Sequence, residues 1–269
     1  MPELPEMETY RRLLEPRIVN RVIMAVEIGR EKSLNVSVAQ FRDAVLNCRI
    51  THLERVAKLL IFWLNGGWGL VVHLMLGGWM FWGSEDDRPK RTIQVMLDFG
   101  QEQLSFIQLR LGYLHLHDRQ GIDEIKSKYG PDPFAPHLTP DALYNKFSAK
   151  RGALKPVLCD QAMLAGIGNC YSDEICFAAG ILPTRSCATL TKVDCENLLL
   201  AMRNVLQEAL QNGGYMEHPL YTEDKLTGGA AAHLRIYDRD GEPCVRCGNL
   251  IKLETIHSRK TYFCVSCQR

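Results

Sequence analysis

The chain has 269 residues, enough for one large domain or two smaller ones with substantial cores. It is 46% hydrophobic and 23% charged, with a formal net charge of +1. That composition excludes a disordered chain and a globally basic nucleic-acid binder, so any basic surface must be local. One such concentration closes the chain, where Arg246, Lys252, Arg259, Lys260 and Arg269 are offset only by Glu254.

The opening stretch, MPELPEMETY, is acidic and polar, unlike the basic-then-apolar pattern of a secretory signal. Met7, Tyr10, Leu13 and Leu14 form a helical stripe over residues 5–15, which Pro16 is expected to stop. Pro at position 2 invites removal of Met1, which would leave a secondary amine beside the Glu3 carboxylate. Such an α-amine titrates near pH ~7.7–8.0 against ~10.4 for Lys, so more of it is nucleophilic at neutral pH. Two readings of this stretch stand. Pro5 can be the first helical residue, with Glu3, Glu6 and Glu8 complementing the helix dipole, or Pro2 and Glu3 can form a reactive pair.

From 17 to about 128 the pattern is mostly strand, as in RVIMAVEI, LVVHLML and TIQVMLDF. Residues 59–82, LLIFWLNGGWGLVVHLMLGGWMFW, carry no formal charge and all four Trp, which mimics a membrane span. The NGG turn at 65–67 and the Gly77–Gly78 pair divide it into two or three buried antiparallel strands instead, and the protein is expected to be soluble. A Pro-rich connector, GPDPFAPHLTP at 130–140, leads into a helical half. Thr139 with Pro140 caps one predicted helix. Thr191 with Asp194 caps another, which runs to about Asn212 and stops at Gly213. From about 233 the chain becomes short strands punctuated by Cys pairs.

Ten Cys in a chain without a signal sequence point to a reducing, cytoplasmic compartment. Six of them are scattered through apolar segments and read as small buried hydrophobes. The other four, Cys244, Cys247, Cys264 and Cys267, follow C-x2-C-x16-C-x2-C. Two such knuckles complete a tetrahedral sulfur site for one Zn2+, and four protein ligands leave no open position, so the zinc is structural. Arg259 and Lys260 lie in the intervening hairpin and suit phosphate contacts. A second motif, AGIGN at 165–169, separates two apolar-periodic segments. Its glycines permit a sharp helix–turn–helix whose free N–H groups can grip a phosphate, with Asn169 as an added donor.

Together, PELPE, DQAMLAGIGNCYSDE and the terminal zinc knuckles ending CQR resemble the formamidopyrimidine-DNA glycosylase / endonuclease VIII family of base-excision repair enzymes. The resemblance spans essentially the whole chain, and Leu4 resembles the formamidopyrimidine branch. It implies an α+β multidomain fold. An N-terminal β-sandwich with flanking helices (1–130) would precede a helix–two-turn–helix domain (131–232) and a C-terminal zinc-finger β-hairpin (233–269). It implies a monomeric DNA glycosylase/AP lyase acting on damaged DNA. In that reading Pro2 is the nucleophile that forms a Schiff base with C1′, Glu3 is the acid/base, and Lys58 in RVAKLLIFWL supports catalysis beside the lesion. His73 of HLMLGG falls near the DNA backbone, Lys155 and Asn169 grip phosphate, and Arg259 is the zinc-finger arginine.

The formamidopyrimidine branch fills the gap left by a flipped base with Met, Arg and Phe from two loops. Here HLMLGG puts Leu76 at the Met position, and LRLG puts Leu109 and Leu111 at the Arg and Phe positions. Arg110 is one residue off, which in an extended segment turns it to the opposite side. Discrimination of the base opposite the lesion is therefore expected to be weak. The stretch 215–233 lies where the family carries a mobile lesion-capping loop. A scaffold that binds DNA without efficient cutting is the alternative; intact Pro2, Glu3 and Lys58 favour the enzyme.

Overall fold

A computed structural model describes residues 1–269 and begins with helix α1, Leu4–Ile18. Its stripe of Met7, Tyr10, Leu14 and Ile18 is buried in the main hydrophobic cluster. The expected stop at Pro16 does not occur. Proline removes one N–H from the last turn, yet Val19 N–H still reaches the Glu15 carbonyl at 3.2 Å, and the Arg17 guanidinium donates to the Leu13 carbonyl at 2.6 Å. Burial of Ile18 outweighs the one lost bond.

The strands are β1 (Ala25–Ile28), β2 (Ile50–Val56), β3 (Leu59–Leu64), β4 (Trp68–His73), β5 (Trp79–Gly83), β6 (Ile93–Asp98), β7 (Gln103–Ile107) and β8 (Tyr113–Asp118), with α2 (Val38–Val45) after β1. They form two antiparallel sheets, ordered β1-β6-β7-β5 and β2-β3-β4-β8. Leu60, Phe62, Leu70 and Val72 of one sheet share a core with Met80, Leu97, Leu104 and Phe106 of the other. Phe62 meets Phe106 edge to face at 6.1 Å, so the expected β-sandwich is present. The uncharged run 59–82 supplies β3 and β4 to one sheet and β5 to the other. Every residue of β3 is buried, which leaves no place for a charge within that strand. No helix is long and apolar enough to cross a membrane.

Five helices follow: α3 (Arg119–Lys126), α4 (Pro140–Ser148), α5 (Leu154–Leu158), α6 (Asn169–Ala179) and α7 (Lys192–Gln211). Thr139 Oγ1 accepts from Ala142 N–H at 3.2 Å, and Thr191 and Asp194 exchange backbone-to-side-chain bonds at 3.1 and 2.8 Å. The α7 helix gives way to Gly213 at φ 74°, the expected left-handed stop. Strands β9 (Lys252–Ile256) and β10 (Arg259–Phe263) make the terminal hairpin, whose Ile251 and Tyr262 pack with Phe177 of α6 and with Ile236.

By packing, the chain forms two units: Met1–Ser127 with Asn212–Gly229, and Lys128–Gln211 with Ala230–Arg269. The sequence segments ending at 130 and 232 follow composition, whereas packing returns 212–229 to the sandwich. There Leu220 joins the core, and its carbonyl accepts from Trp82 N–H at 2.6 Å. The terminal hairpin belongs with the helices.

Candidate active site and nucleic-acid interface

In the sandwich unit, Glu3 is the N-cap residue of α1. Its carboxylate takes the Glu6 N–H, and Glu6 Oε2 takes the Glu3 N–H at 2.7 Å. The helix-start reading therefore holds, and it fixes the backbone that carries Pro2. The other Glu6 oxygen accepts from Tyr215 N–H at 2.9 Å, and Tyr215 OH donates to the Met1 carbonyl at 3.1 Å. Gly214, at φ 71°, lets this segment approach: a Cβ there would stand 2.5 Å from Glu6 Oε1. Sequence reasoning treated Glu6 only as a dipole partner. Its capping spacing was visible, but the remote glycine pair that seats Tyr215 on it was not.

Lys58 sits in the tight turn between β2 and β3, after Ala57 at φ 53°, and is 6% exposed. Arg55 anchors this turn, donating to the Ala57 carbonyl at 3.2 Å and pairing with Glu8 of α1 at 3.3 Å. Glu8 is held below the usual carboxylate range: burial opposes this, and the guanidiniums of Arg11 and Arg55 outweigh it. The hairpin bearing Lys58 is thus tied to the helix bearing Pro2 and Glu3. His73 is pushed down to about 4, first by burial and then by the Lys58 ammonium. It is neutral at physiological pH. Its Nδ1 accepts from Met75 N–H at 3.0 Å, which leaves the proton on Nε2 as an uncharged donor.

The two gap-filling loops depart from expectation. Leu76 and Leu111 are 62% and 63% exposed, but Leu109 is wholly buried in the sandwich core. The second loop is not extended. Gln108 adopts φ 55°, and Arg110 N–H closes a turn onto the Gln108 carbonyl at 2.7 Å. The alternation that would turn Arg110 away from its neighbours does not apply. Arg110 is exposed beside Leu111, and Leu109 has no exposed surface.

In the helical unit, Asn169 opens α6, and its Oδ1 is buried without a hydrogen-bond partner. Asn169 thus stands at the N-terminal end of α6, the positive end of the helix dipole. The turn before it is organised by Gln161, which sequence reasoning did not single out. Its amide donates to the carbonyls of Cys159 and Ile167 at 2.9 and 2.7 Å and accepts from Gly166 N–H at 2.9 Å. Lys155 requires a correction. It is wholly buried, with Nζ 2.7 Å from Asp173 Oδ2 and 2.6 Å from the Lys260 carbonyl. It does not grip phosphate directly but ties α5 and α6 to β10, where Tyr262 N–H also donates to Asp173 at 3.1 Å.

The sulfurs of Cys244, Cys247, Cys264 and Cys267 lie within 4.8 Å of one another, with Cys244 to Cys267 at 3.9 Å and Cys247 to Cys264 at 3.5 Å. Zn–S bonds of about 2.3 Å in a tetrahedron place sulfurs about 3.8 Å apart, so the quartet fits one zinc ion. Arg259 is exposed where β10 leaves its turn. Arg246, counted with the basic tail, instead donates to the Phe177 and Ala178 carbonyls at 2.7 and 3.2 Å and covers the Phe177 ring.

Three family models match the chain: the formamidopyrimidine-DNA glycosylase N-terminal domain over residues 1–113, the H2TH domain over 129–218, and the zinc finger found in FPG and IleRS over 241–269. A formamidopyrimidine-DNA glycosylase of Chloroflexus aurantiacus is 36% identical, covering 100% of this chain and 98% of the relative. One from Carboxydothermus hydrogenoformans is 33% identical over 100% of both. A Lactococcus lactis FPG mutant bound to Fapy-dG DNA superposes with a TM-score of 0.93 at 29% identity, covering 100% of each chain. The L. lactis enzyme bound to abasic-site DNA gives 0.93 at 29%, covering 99% of each.

Proposed function

Since the chain belongs to the formamidopyrimidine-DNA glycosylase family, we propose that this DNA glycosylase removes oxidised or ring-opened bases and then cuts the abasic strand through a Schiff base at Pro2. The observation that carries the reading is the start of α1, where the Glu3–Glu6 box and Tyr215 fix Pro2 and Glu3 on a helix tied to the Lys58 turn. While Met1 is attached, the Pro2 nitrogen is an amide and cannot attack, so its removal is the first requirement. The freed amine attacks C1′ of the flipped nucleotide as Glu3 protonates the sugar ring oxygen. Protonation breaks the C1′–O4′ bond and opens the sugar, the Pro2 nitrogen gives up its proton, and the base departs with the electrons of its glycosidic bond as the nitrogen lone pair forms the C1′=N iminium. Loss of the acidified C2′ proton expels the 3′ phosphate. A second elimination expels the 5′ phosphate and leaves a one-nucleotide gap.

Lys58 lies beside neutral His73 and supports these steps, with His73 Nε2–H as a donor to the backbone. Asn169 and Arg259 supply phosphate contacts from the helical unit, and the zinc, once bound, holds the hairpin that carries Arg259. Leu76 and Leu111 offer bulk but no hydrogen bond to the base opposite the lesion. A bidentate arginine distinguishes bases by about 1–3 kcal/mol, which leucine cannot supply, so discrimination there is weak.

The test is incubation with duplexes carrying an abasic site, 8-oxoguanine, a formamidopyrimidine or an oxidised pyrimidine, each opposite all four bases. Cleavage of at least one base lesion with little dependence on the opposing base is expected. Binding without cleavage of any substrate would favour the non-cutting scaffold. A spread well beyond about tenfold would assign base reading to Arg110.

A further inference from the structure

Within the sandwich unit, the loops 74–78 and 108–112 meet around one side chain, Leu109. It lies between two glycines: a Cβ on Gly78 would stand 3.2 Å from Leu109 Cδ2, and one on Gly112 would stand 2.9 Å from it. A Cβ on Gly112 would also lie 2.6 Å from the His73 carbonyl oxygen, so the slot exists only while position 112 is glycine. The Leu109 backbone is held as well. Its N–H donates to Gln94 Oε1 at 3.0 Å, and its carbonyl accepts from the Arg30 guanidinium at 3.4 Å. Gln94 is itself 6% exposed and fixed through its own carbonyl, which takes the N–H groups of Gly29 and Arg30 at 2.9 and 3.0 Å.

The turn has little freedom left. With Leu109 seated, the side chains it can present are Arg110 and Leu111, and across the contact the first loop presents Leu76. Were the Leu109 N–H to lose its acceptor, a buried donor would stand unpaired, and turning the peptide toward water would relieve it. That rotation would withdraw Leu109 from its slot and move Leu111.

We infer that Gln94 is a positioning residue for entry into duplex DNA: together with Arg30 and the Gly78–Gly112 slot it holds Leu109 in the core, and so sets Leu111, flanked by Arg110, as the outward partner of Leu76 in an apolar wedge. The inference rests on the glycosylase reading above and deepens it, because it separates substrates by structure. A base extruded from a duplex leaves a gap that a wedge must occupy, whereas a single strand leaves none. Gln94 touches neither substrate nor the reacting atoms, so it acts only through the turn.

The experiment compares single-turnover cleavage of an abasic site in a duplex and in a single strand, for wild type, Gln94→Leu and Gln94→Glu, with thermal melting alongside. Gln94→Leu is expected to lower the duplex rate by about tenfold, the scale of one unpaired buried donor, and to leave the single-strand rate unchanged. Gln94→Glu retains an acceptor oxygen and should retain the duplex rate. An equal fall on both substrates, or no fall on either, overturns the inference. If Gln94→Leu does not fold, Gln94→Asn decides, because its amide is one methylene shorter and falls short of the Leu109 N–H. It should lower the duplex rate selectively, and an equal fall on both substrates or none on either overturns the inference. Failure of the glycosylase reading looks different: wild type then cuts neither substrate.

Discussion

Two tight turns in this molecule are each organised by a glutamine, and they achieve it differently. In the helical unit, Gln161 binds Cys159, Gly166 and Ile167, all within six residues of itself. In the sandwich, Gln94 holds Leu109 from fifteen residues away and from another strand. The first turn carries its organiser with it, and three bonds make it redundant. The second depends on the sheet being assembled, with Gln94 and Arg30 each giving its backbone one bond from a distance. A turn built locally is robust, and a turn built remotely is adjustable.

The contrast is largest where the remote partner is a buried charge. Lys155→Met would leave Asp173 ionised or protonated without its counter-ion inside the helical unit, and its Oδ1 already lacks a partner. A loss of about 3–5 kcal/mol is expected by denaturant unfolding. Lys155→Met with Asp173→Leu should recover much of it, whereas a phosphate-gripping Lys155 would lower DNA affinity with stability intact. Next comes the local turn. Gln161→Leu removes an acceptor from Gly166 N–H and a donor from two carbonyls, with an expected cost of about 2–3 kcal/mol and weaker DNA binding on single-stranded and duplex substrates alike. A duplex-selective effect there would break the distinction between the turns.

Much of this was legible in the sequence because it is local. The Cys quartet, the caps at Thr139 and Thr191, the Gly213 stop and the strand pattern of 59–82 all depend on neighbours within a few residues. What was not legible depends on distant partners. Lys155 reads as a phosphate-binding cation because neither Asp173 nor the Lys260 carbonyl is recognisable as its partner beforehand. Leu109 reads as a DNA-facing residue because an extended segment is the default, and only Gln94, Gly78 and Gly112 together turn it inward. Glu6 gave half its role away through the capping spacing, while Gly214 and Tyr215 supply the other half from the far side of the chain.

Smaller effects refine the picture at the surface. Arg259→Ala should leave zinc content and folding intact, weaken binding evenly across sequences, and reduce the salt slope of binding by about one. A sequence-selective loss would instead place Arg259 on a base edge. The smallest concerns His73, whose folded value near 4 lies below the ordinary 6.5. A depressed histidine contributes stability that is fully present above about pH 6.5 and is lost as pH falls through about 4. Melting curves of His73→Gln should therefore depend less on pH across that window than those of wild type, with a residual slope to which His115 and His218, both depressed chiefly by burial, and shifted carboxylates such as Glu8 contribute.

The most direct measurement is borohydride trapping on abasic-site DNA followed by peptide mapping of the adduct. With Met1 removed, one DNA strand should become covalently attached per protein, on the N-terminal peptide, and Pro2→Gly should remove nearly all of it. An undiminished adduct in Pro2→Gly, carried by Lys58 or another lysine, would contradict the assignment of Pro2 as the nucleophile.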